Sequence, residues 1–424
     1  MKKINLAGLL SLIIISCVIF ATPKVMAEKN DREKIPGQYI VVFKEGVDSE
    51  VVTDRMVRNH RMGHLFTYGH IVKGFAATIP QGELEKVKRD SSVAYVIEDR
   101  VVTADGRLNN QVVQPSEVVP TGVARIGADS LSNDGAGVAV AVLDTGIDLS
   151  HPDLAGSIIP GSGTTCIRRT TTNDDNGHGT HVAGTIAARD NAIGVVGVAP
   201  LAKLIPVKVL DSRGSGTWSS VICGIDWVTG NAIKYNIKVV NMSLGGGGTS
   251  DNNCGLTNND PLHRAICRSR DAGITYVVAA GNEGADSLNS VPAAYDDAVI
   301  SVSALTDLDG KSGGLGSSGD DTFASFSNYG SVVDIAAPGL NIFSTYKNGG
   351  YATMSGTSMA TPHVTGAAAL YLAKYPGTIL NSGTFRVVRD ALNVIGEKGG
   401  VVNNIFYHAL SVLHPESVLR VDTL

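Results

Sequence analysis

Between residues 121 and 414 two kinds of segment alternate, and this alternation narrows the possible folds more than any other feature of the chain. Short β-branched runs at 138–143, 203–209, 239–242, 275–280 and 299–304 are separated by Ala-rich helical stretches at 181–189, 219–231, 261–272 and 358–375. The strand runs are apolar throughout instead of alternately polar, so both faces of their sheet must be covered. Strands alternating with helices build a parallel sheet with helices on both faces, an α/β fold. In such a sheet a functional site forms outside the carboxyl ends of the strands.

The preceding residues follow another pattern. Residues 38–43 (QYIVVF) form a β-branched, aromatic-rich run that predicts a strand. Residues 47–63 have the amphipathic pattern of a helix, 71–79 of a strand, 82–90 of a helix and 93–98 of a strand. That order, with room for a hairpin, predicts a small ferredoxin-like α+β domain. Residues 28–105 are expected to form this unit, 106–120 a polar linker open to proteolysis, and 121–424 the large domain.

Lys2 and Lys3 precede a mostly apolar run over 6–21, and Val25-Met26-Ala27 offers a small-residue cleavage site before Glu28. This is the pattern of an export signal over 1–27 and predicts a secreted, extracellular protein. The run lies at the short limit for spanning a bilayer, so a retained anchor is one alternative. Ile14-Ile15-Ser16-Cys17 also resembles a bacterial lipoprotein box, which would hold the protein at the cell surface through Cys17. Against that, Val18 to Ala21 continue the apolar run where a polar tether is expected.

Removing Cys17 with the signal leaves Cys166, Cys223, Cys254 and Cys267. An even number in an exported chain predicts disulfides, in one of three pairings. Cys254 and Cys267 bracket one loop and are the pair expected. Hydrophobic residues at 43% and charged residues at 18% exclude global disorder. A net charge of −5 without a dense Lys/Arg run argues against nucleic acid as a partner.

Three motifs carry chemistry. In AVAVLDTGID (139–148) a buried strand runs into Asp144, which places a carboxylate at the cleft edge of the sheet. The Asp-Thr-Gly of a carboxylate dyad would need a second copy, and none is present. In DNGHGTHVAG (175–184) glycines flank His178 and are expected to leave its imidazole unobstructed. His178 and His181 are three apart, but no helix-spaced carboxylate accompanies them as in a zinc helix. In MSGTSMATPHV (354–364) Ser358 precedes Pro362 and an apolar continuation, so it opens a buried helix whose positive end favours a developing oxyanion. A nucleophile elbow would need Gly where Ala360 stands, with Asp390 and His408 or His414 completing the set.

The order Asp, His, Ser, with all three contexts intact, resembles the subtilisin family of serine peptidases over roughly residues 115–410. The resemblance implies that Asp144 orients His178, that His178 acts as general base and then acid, and that Ser358 is the nucleophile. VVAAGNE (277–283) is similar to the family segment that supplies an oxyanion donor, which would be the Asn282 side chain beside the Ser358 backbone N–H. Gly214, Ser215 and Gly216, with Ser243, Leu244, Gly245 and Gly246, resemble the two strands that flank an extended peptide. Ala279, Ala280 and Gly281 would wall the first specificity pocket and Ser290 would floor it. With no acid at that floor, no preference for Lys or Arg is expected, and the implied activity is broad with an apolar preference.

The resemblance also implies a structural calcium at Asp153, Asn191 and the carbonyls of Ile193 and Val195, with Glu117 a further ligand; an ordinary turn at 190–194 is the alternative. Catalysis itself needs no cofactor. Residues 28–105 resemble the family's inhibitory propeptide, carried by QYIVVF (38–43) and VIED (96–99). The expected partners are polypeptide substrates and the chain's own propeptide, with the enzyme a monomer. The competing class is a noncatalytic surface-binding protein on the same scaffold.

Overall fold

The computed structural model describes residues 33–104, 106–313, 319–398, 400–402, 405–407 and 414–424. The export segment 1–27, with Cys17, and residue 105 lie outside the described residues. No helix among the described residues is long and apolar enough to cross a membrane.

The first unit runs β1 (Lys34–Phe43), α1 (Ser49–Asn59), β2 (Gly63–Tyr68), β3 (Gly74–Thr78), α2 (Leu84–Lys88) and β4 (Val93–Ala104). Its strands lie antiparallel in the order β2-β3-β1-β4. This is the small α+β domain the pattern predicts, with the hairpin supplied by β2 and β3. Strand alternation in β1 serves two cores. Val41 and Phe43 pack with Met56, Phe75, Val87 and Val93 inside the unit. Ile40 and Val42 face the opposite way, into a core shared with the large domain. Asp226 of the large domain adds three hydrogen bonds, accepting from the backbone N–H groups of Gly69, His70 and Ile71 at 2.7–3.2 Å.

β5 (Arg107–Val112) and α3 (Thr121–Arg125) follow. The polar stretch expected as a linker is therefore partly a strand. Its side chains are exposed, and its order comes from a distant partner strand, which a local pattern cannot reveal.

The large domain contains β6 (Ala139–Asp144), β7 (Thr164–Thr165), α4 (His178–Ala187), β8 (Lys203–Lys208), β9 (Ser215–Thr217), α5 (Trp218–Tyr235), β10 (Ile237–Met242), β11 (Leu244–Gly247), α6 (Pro261–Asp271), β12 (Thr275–Ala279), β13 (Ser290–Val291), β14 (Ile300–Thr306), β15 (Thr322–Phe323), β16 (Ile335–Pro338), β17 (Ile342–Tyr346), β18 (Gly350–Ser355), α7 (Thr357–Lys374), α8 (Thr384–Ile395), β19 (Gly400–Val402), β20 (Ile405–Tyr407) and β21 (Ser417–Val418). The main sheet has the order β21-β16-β14-β12-β10-β6-β8-β7, all parallel, with β15 antiparallel on β14.

β6 shows why both faces are covered. Val140 and Val142 pack against Val182 and Ile186 of α4 and Val364 and Ala367 of α7. Ala139, Ala141 and Leu143 point to the other side, against Val221 and Ile225 of α5 and Leu262 and Ile266 of α6. Two disulfides fasten the second layer. Cys254–Cys267 is the expected pair and closes the loop before α6; Cys166–Cys223 joins the end of the β7 strand to α5. Bridges closing loops of 57 and 13 residues contribute about 2–4 kcal/mol each.

Candidate active site

Asp144 is the last residue of β6, His178 the first of α4 and Ser358 the second of α7. All three are buried. α4 and α7 pack against one another, so the two helix starts meet at the carboxyl edge of the sheet. His178 Nδ1 lies 2.8 and 2.9 Å from the two Asp144 oxygens. A carboxylate only accepts, so Nδ1 carries the proton and Nε2 is the basic nitrogen. Ser358 Oγ donates to the Ser243 carbonyl at 3.1 Å, and Ser243 Oγ donates to the Ser358 carbonyl at 2.9 Å.

The glycines beside His178 do more than leave it room. A Cβ at Gly177, where φ is +114°, would stand 2.3 Å from the Tyr346 ring, and one at Gly179 would stand 2.1 Å from the Gly146 carbonyl oxygen. They let the start of α4 press against β17 and the turn after Asp144. Asp174, which the motif reading passed over, organises this corner. It accepts from Thr145 Oγ1, Gly177 N and both donors of Thr180. Its place just ahead of a helix start was the available signal.

His181 is not a partner of His178. Its Nε2 faces the carbonyls of Ile342 and Ala352 at 3.0 and 3.2 Å, and burial holds the ring down to about 3, so it is a neutral packing residue. Asp390 sits on α8 by Tyr371 and Tyr375, and His414 stacks on Phe323; neither joins Ser358. His408 lies outside the described residues.

Asn282 has its amide oriented. Its Oδ1 accepts from Thr357 N at 2.8 Å and Thr357 Oγ1 at 3.0 Å. With the oxygen held, the amide nitrogen turns to the cavity that Asn282 lines with Ala104, Gly106 and Phe326.

The substrate strands are occupied by the chain itself. The last residues of β4 run antiparallel to both, with Val101, Val102 and Thr103 opposite Thr217, Gly216 and Ser215 of β9. On the other side Thr103 and Ala104 face Gly245 and Leu244 of β11. Ala104 N donates to the Gly214 carbonyl at 2.8 Å. A Cβ at Gly246 would lie 2.8 Å from the Val101 carbonyl, so the small residue is needed for this approach. Past residue 105 the chain crosses the imidazole: a Cβ built on Gly106 would lie 3.0 Å from His178 Nε2. It then continues as β5, antiparallel to β18, with Asn109 Nδ2 donating to Asn341 and Ser355 at 2.8 Å. On the propeptide side Asp99, buried, accepts from Gln38 and from Ser219 N at the start of α5, and burial pushes its carboxyl up.

Beside the clamped strand lies a cavity of about 190 Å³ lined by Gly245, Gly246, Ala279, Gly281, Ser290 and Glu283. Ala280 is not among its lining residues. It is fully buried, with its N–H on Val302 and its carbonyl accepting from Ser287 and Asn328. Glu283 adds a carboxylate that the reading of the floor did not include. The turn after Gly281 brings its carboxylate to Asn328 Nδ2 at 2.8 Å, on the cavity wall.

The residues expected to hold calcium are also gathered. Glu117 accepts from Asn191 N at 2.6 Å and Ala192 N at 3.0 Å. Asp153 accepts from Asn191 Nδ2 at 3.0 Å and Val195 N at 2.8 Å, and the segments at 116–118 and 193–195 are bridged. Burial, with the charge of Glu117, pushes Asp153 up to about 6. Two carboxylates drawn into one loop, one of them poorly solvated, among amide and carbonyl oxygens, form a set that fits a hard dication. Asn191 presents its nitrogen to Asp153 here, and its Oδ1 accepts from Ile193 N.

A carboxylate–imidazole pair beside a helix-opening serine is the apparatus of a serine hydrolase. A model of the subtilase family matches residues 135–394, and one of the peptidase inhibitor I9 family matches residues 38–105. The chain is 36% identical over 427 aligned positions to subtilisin NAT of Bacillus subtilis subsp. natto, covering 99% of each. It is 42% identical to a thermostable alkaline protease of Halalkalibacterium halodurans over 74% of this chain and 76% of that one. An extracellular serine proteinase of a Thermus species is 36% identical over 89% and 91% of the two chains. Among solved structures, a cold-adapted subtilisin-like serine proteinase matches 72% of this chain and 99% of its own, at TM-score 0.56 and 34% identity. The chain thus belongs to the subtilase family and is a serine endopeptidase of the subtilisin type with an I9 propeptide.

Proposed function

We propose that the chain is exported as an inactive precursor, cuts itself between residues 105 and 106, and becomes a broad endopeptidase with an apolar preference on the acyl side of the scissile bond. The observation that carries this reading is the strand clamp. Ala104 is held by β9 and β11, Gly106 lies against His178, and both line the cavity reached by Asn282. The Asp144–His178 pair and Ser358 favour it over a noncatalytic binding protein, and the relative named as extracellular supports export by way of 1–27.

The chemistry follows from the placement. Ser358 Oγ adds to the scissile carbonyl carbon while its proton passes to His178 Nε2. Asp144 holds the imidazole in the required tautomer and offsets its charge. The oxyanion takes hydrogen bonds from Asn282 Nδ2 and the Ser358 N–H. Collapse breaks the C–N bond, the amine leaves with the proton of His178, and the ester on Ser358 is hydrolysed by water through the same steps in reverse. Gly214 to Gly216 and Ser243 to Gly246 hold the peptide as a middle strand. Ala279, Gly281 and Ser290 receive the side chain before the cut, and Glu283 makes a long cationic side chain acceptable there.

One assay tests both parts: mature enzyme on peptides carrying Phe, Ala, Lys or Asp before the cut, with and without added 28–105 fragment. The fragment should inhibit all of them, and kcat/KM should rank Phe first, Lys within about tenfold and Asp last. Absence of inhibition sinks the propeptide reading; a top rank for Asp sinks the pocket reading.

Calcium would be held by Asp153, Glu117, the Asn191 side-chain oxygen and the carbonyls of Ile193 and Val195, where it supplies charge neutralisation and loop order. At a hundredfold excess over Kd it should stabilise the fold by about 2.7 kcal/mol. Chelator should lower Tm, and Asp153→Ala should shrink the response. Equal melting of the wild type with and without chelator removes calcium from the account.

A further inference from the structure

A second group of acids lies on different elements from the Asp153 loop. Asp307 follows β14 directly, and Asp320 and Asp321 directly precede β15, the strand paired back on β14. All three are at least 96% buried, and one carboxylate oxygen from each lies within 4.8 Å of the others. Each accepts a backbone N–H. Asp307 Oδ1 accepts from Gly310 N at 3.0 Å, Asp320 Oδ1 from Leu308 N at 2.7 Å and Asp321 Oδ2 from Gly313 N at 2.6 Å. Asp307 Oδ2 is buried and has no hydrogen-bond partner. A buried, unmatched carboxylate oxygen beside two further acids costs several kcal/mol unless a cation meets it.

Arg125, fully buried, gives Nε to Asp321 at 2.8 Å but turns both terminal nitrogens to Glu397. Arg420 reaches the same Glu397 at 3.3 Å and is shared with the exposed Asp422. Among the described residues, Arg125 and Arg420 are the guanidiniums that reach this group and Glu397. We propose that Asp307, Asp320 and Asp321 are ligands of a calcium ion that ties the end of β14 to the start of β15. All-oxygen, carboxylate-rich donors select calcium over softer metals. β15 leads into Ser325 and Phe326, which line the cavity beside Asn282, so the ion secures that wall of the cleft.

The test uses the full chain carrying Ser358→Ala, stripped with chelator, dialysed and titrated with calcium chloride by calorimetry. Introducing Asp153→Ala should leave one calcium bound per chain, and adding Asp307→Asn should abolish it. Thermal melts give a second readout that separates ligation from packing. In chelator Asp307→Asn should melt at or above its parent, because the amide removes repulsion; in millimolar calcium it should melt several degrees below. If Asp307→Asn is not recovered folded, Asp320→Asn replaces it in both measurements. The proposal is overturned if the Asp153→Ala chain binds no calcium, or if calcium raises the melting temperature of the Asp307 or Asp320 variant as much as that of its parent.

Discussion

Ser358→Ala should accumulate as a folded, uncut precursor with no measurable peptidase activity. The substitution removes the one oxygen that can add to the carbonyl, and in another subtilisin the loss of the nucleophile alone costs roughly 10⁶ in turnover. Its structural cost is small, because the only hydrogen bond forfeited is the one donated to the Ser243 carbonyl at 3.1 Å. Intact mass of the product made in a peptidase-free host checks the outcome. Maturation at the wild-type rate would remove Ser358 from the mechanism and the self-cutting step with it.

Asn282→Ala should lower kcat by roughly 10²–10³ while KM changes little, since the amide meets charge that develops after binding. Asn282 suits this role because its oxygen is fixed by two donors of Thr357, leaving the nitrogen no other direction than the cavity. The same variant should mature slowly, with uncut chain visible beside product. A defect confined to KM would assign Asn282 to ground-state binding and contradict the oxyanion role.

The parts of this molecule that were legible in the sequence are those encoded locally. Val140, Val142 and their neighbours alternate between two helical layers, so the β6 run could only be a doubly covered strand ending at Asp144. The helix at Ser358 begins within a residue of the expected place, whereas the one expected from residue 181 begins three residues earlier, at His178 itself. What escaped depends on partners far away in the chain. β5 is polar because both its faces are wet, and only β18, more than two hundred residues later, makes it a strand. Nothing local marks Asp226, whose role comes from the loop at 69–71 set against it. Glu283 stands next to Asn282 in sequence, yet its place on the pocket wall comes from the turn at Gly281 and the amide of Asn328, neither of which a motif conveys.

The double allegiance of β1 gives cleavage a direction. While the chain is whole, Ile40 and Val42 meet α5 and α6 as parts of one molecule, and docking is independent of concentration. Under the proposed cut at 105–106, the same contact would become an association of two molecules, governed by mass action. Dilution would then act as the trigger, and departure would uncover the Ile40 and Val42 face of β1. A unit of about 70 residues is marginal with its core intact, so a freed fragment, uncovered on that face, would be less stable than the docked one. On the proposed reading the precursor works as a latch whose release is favoured by dilution.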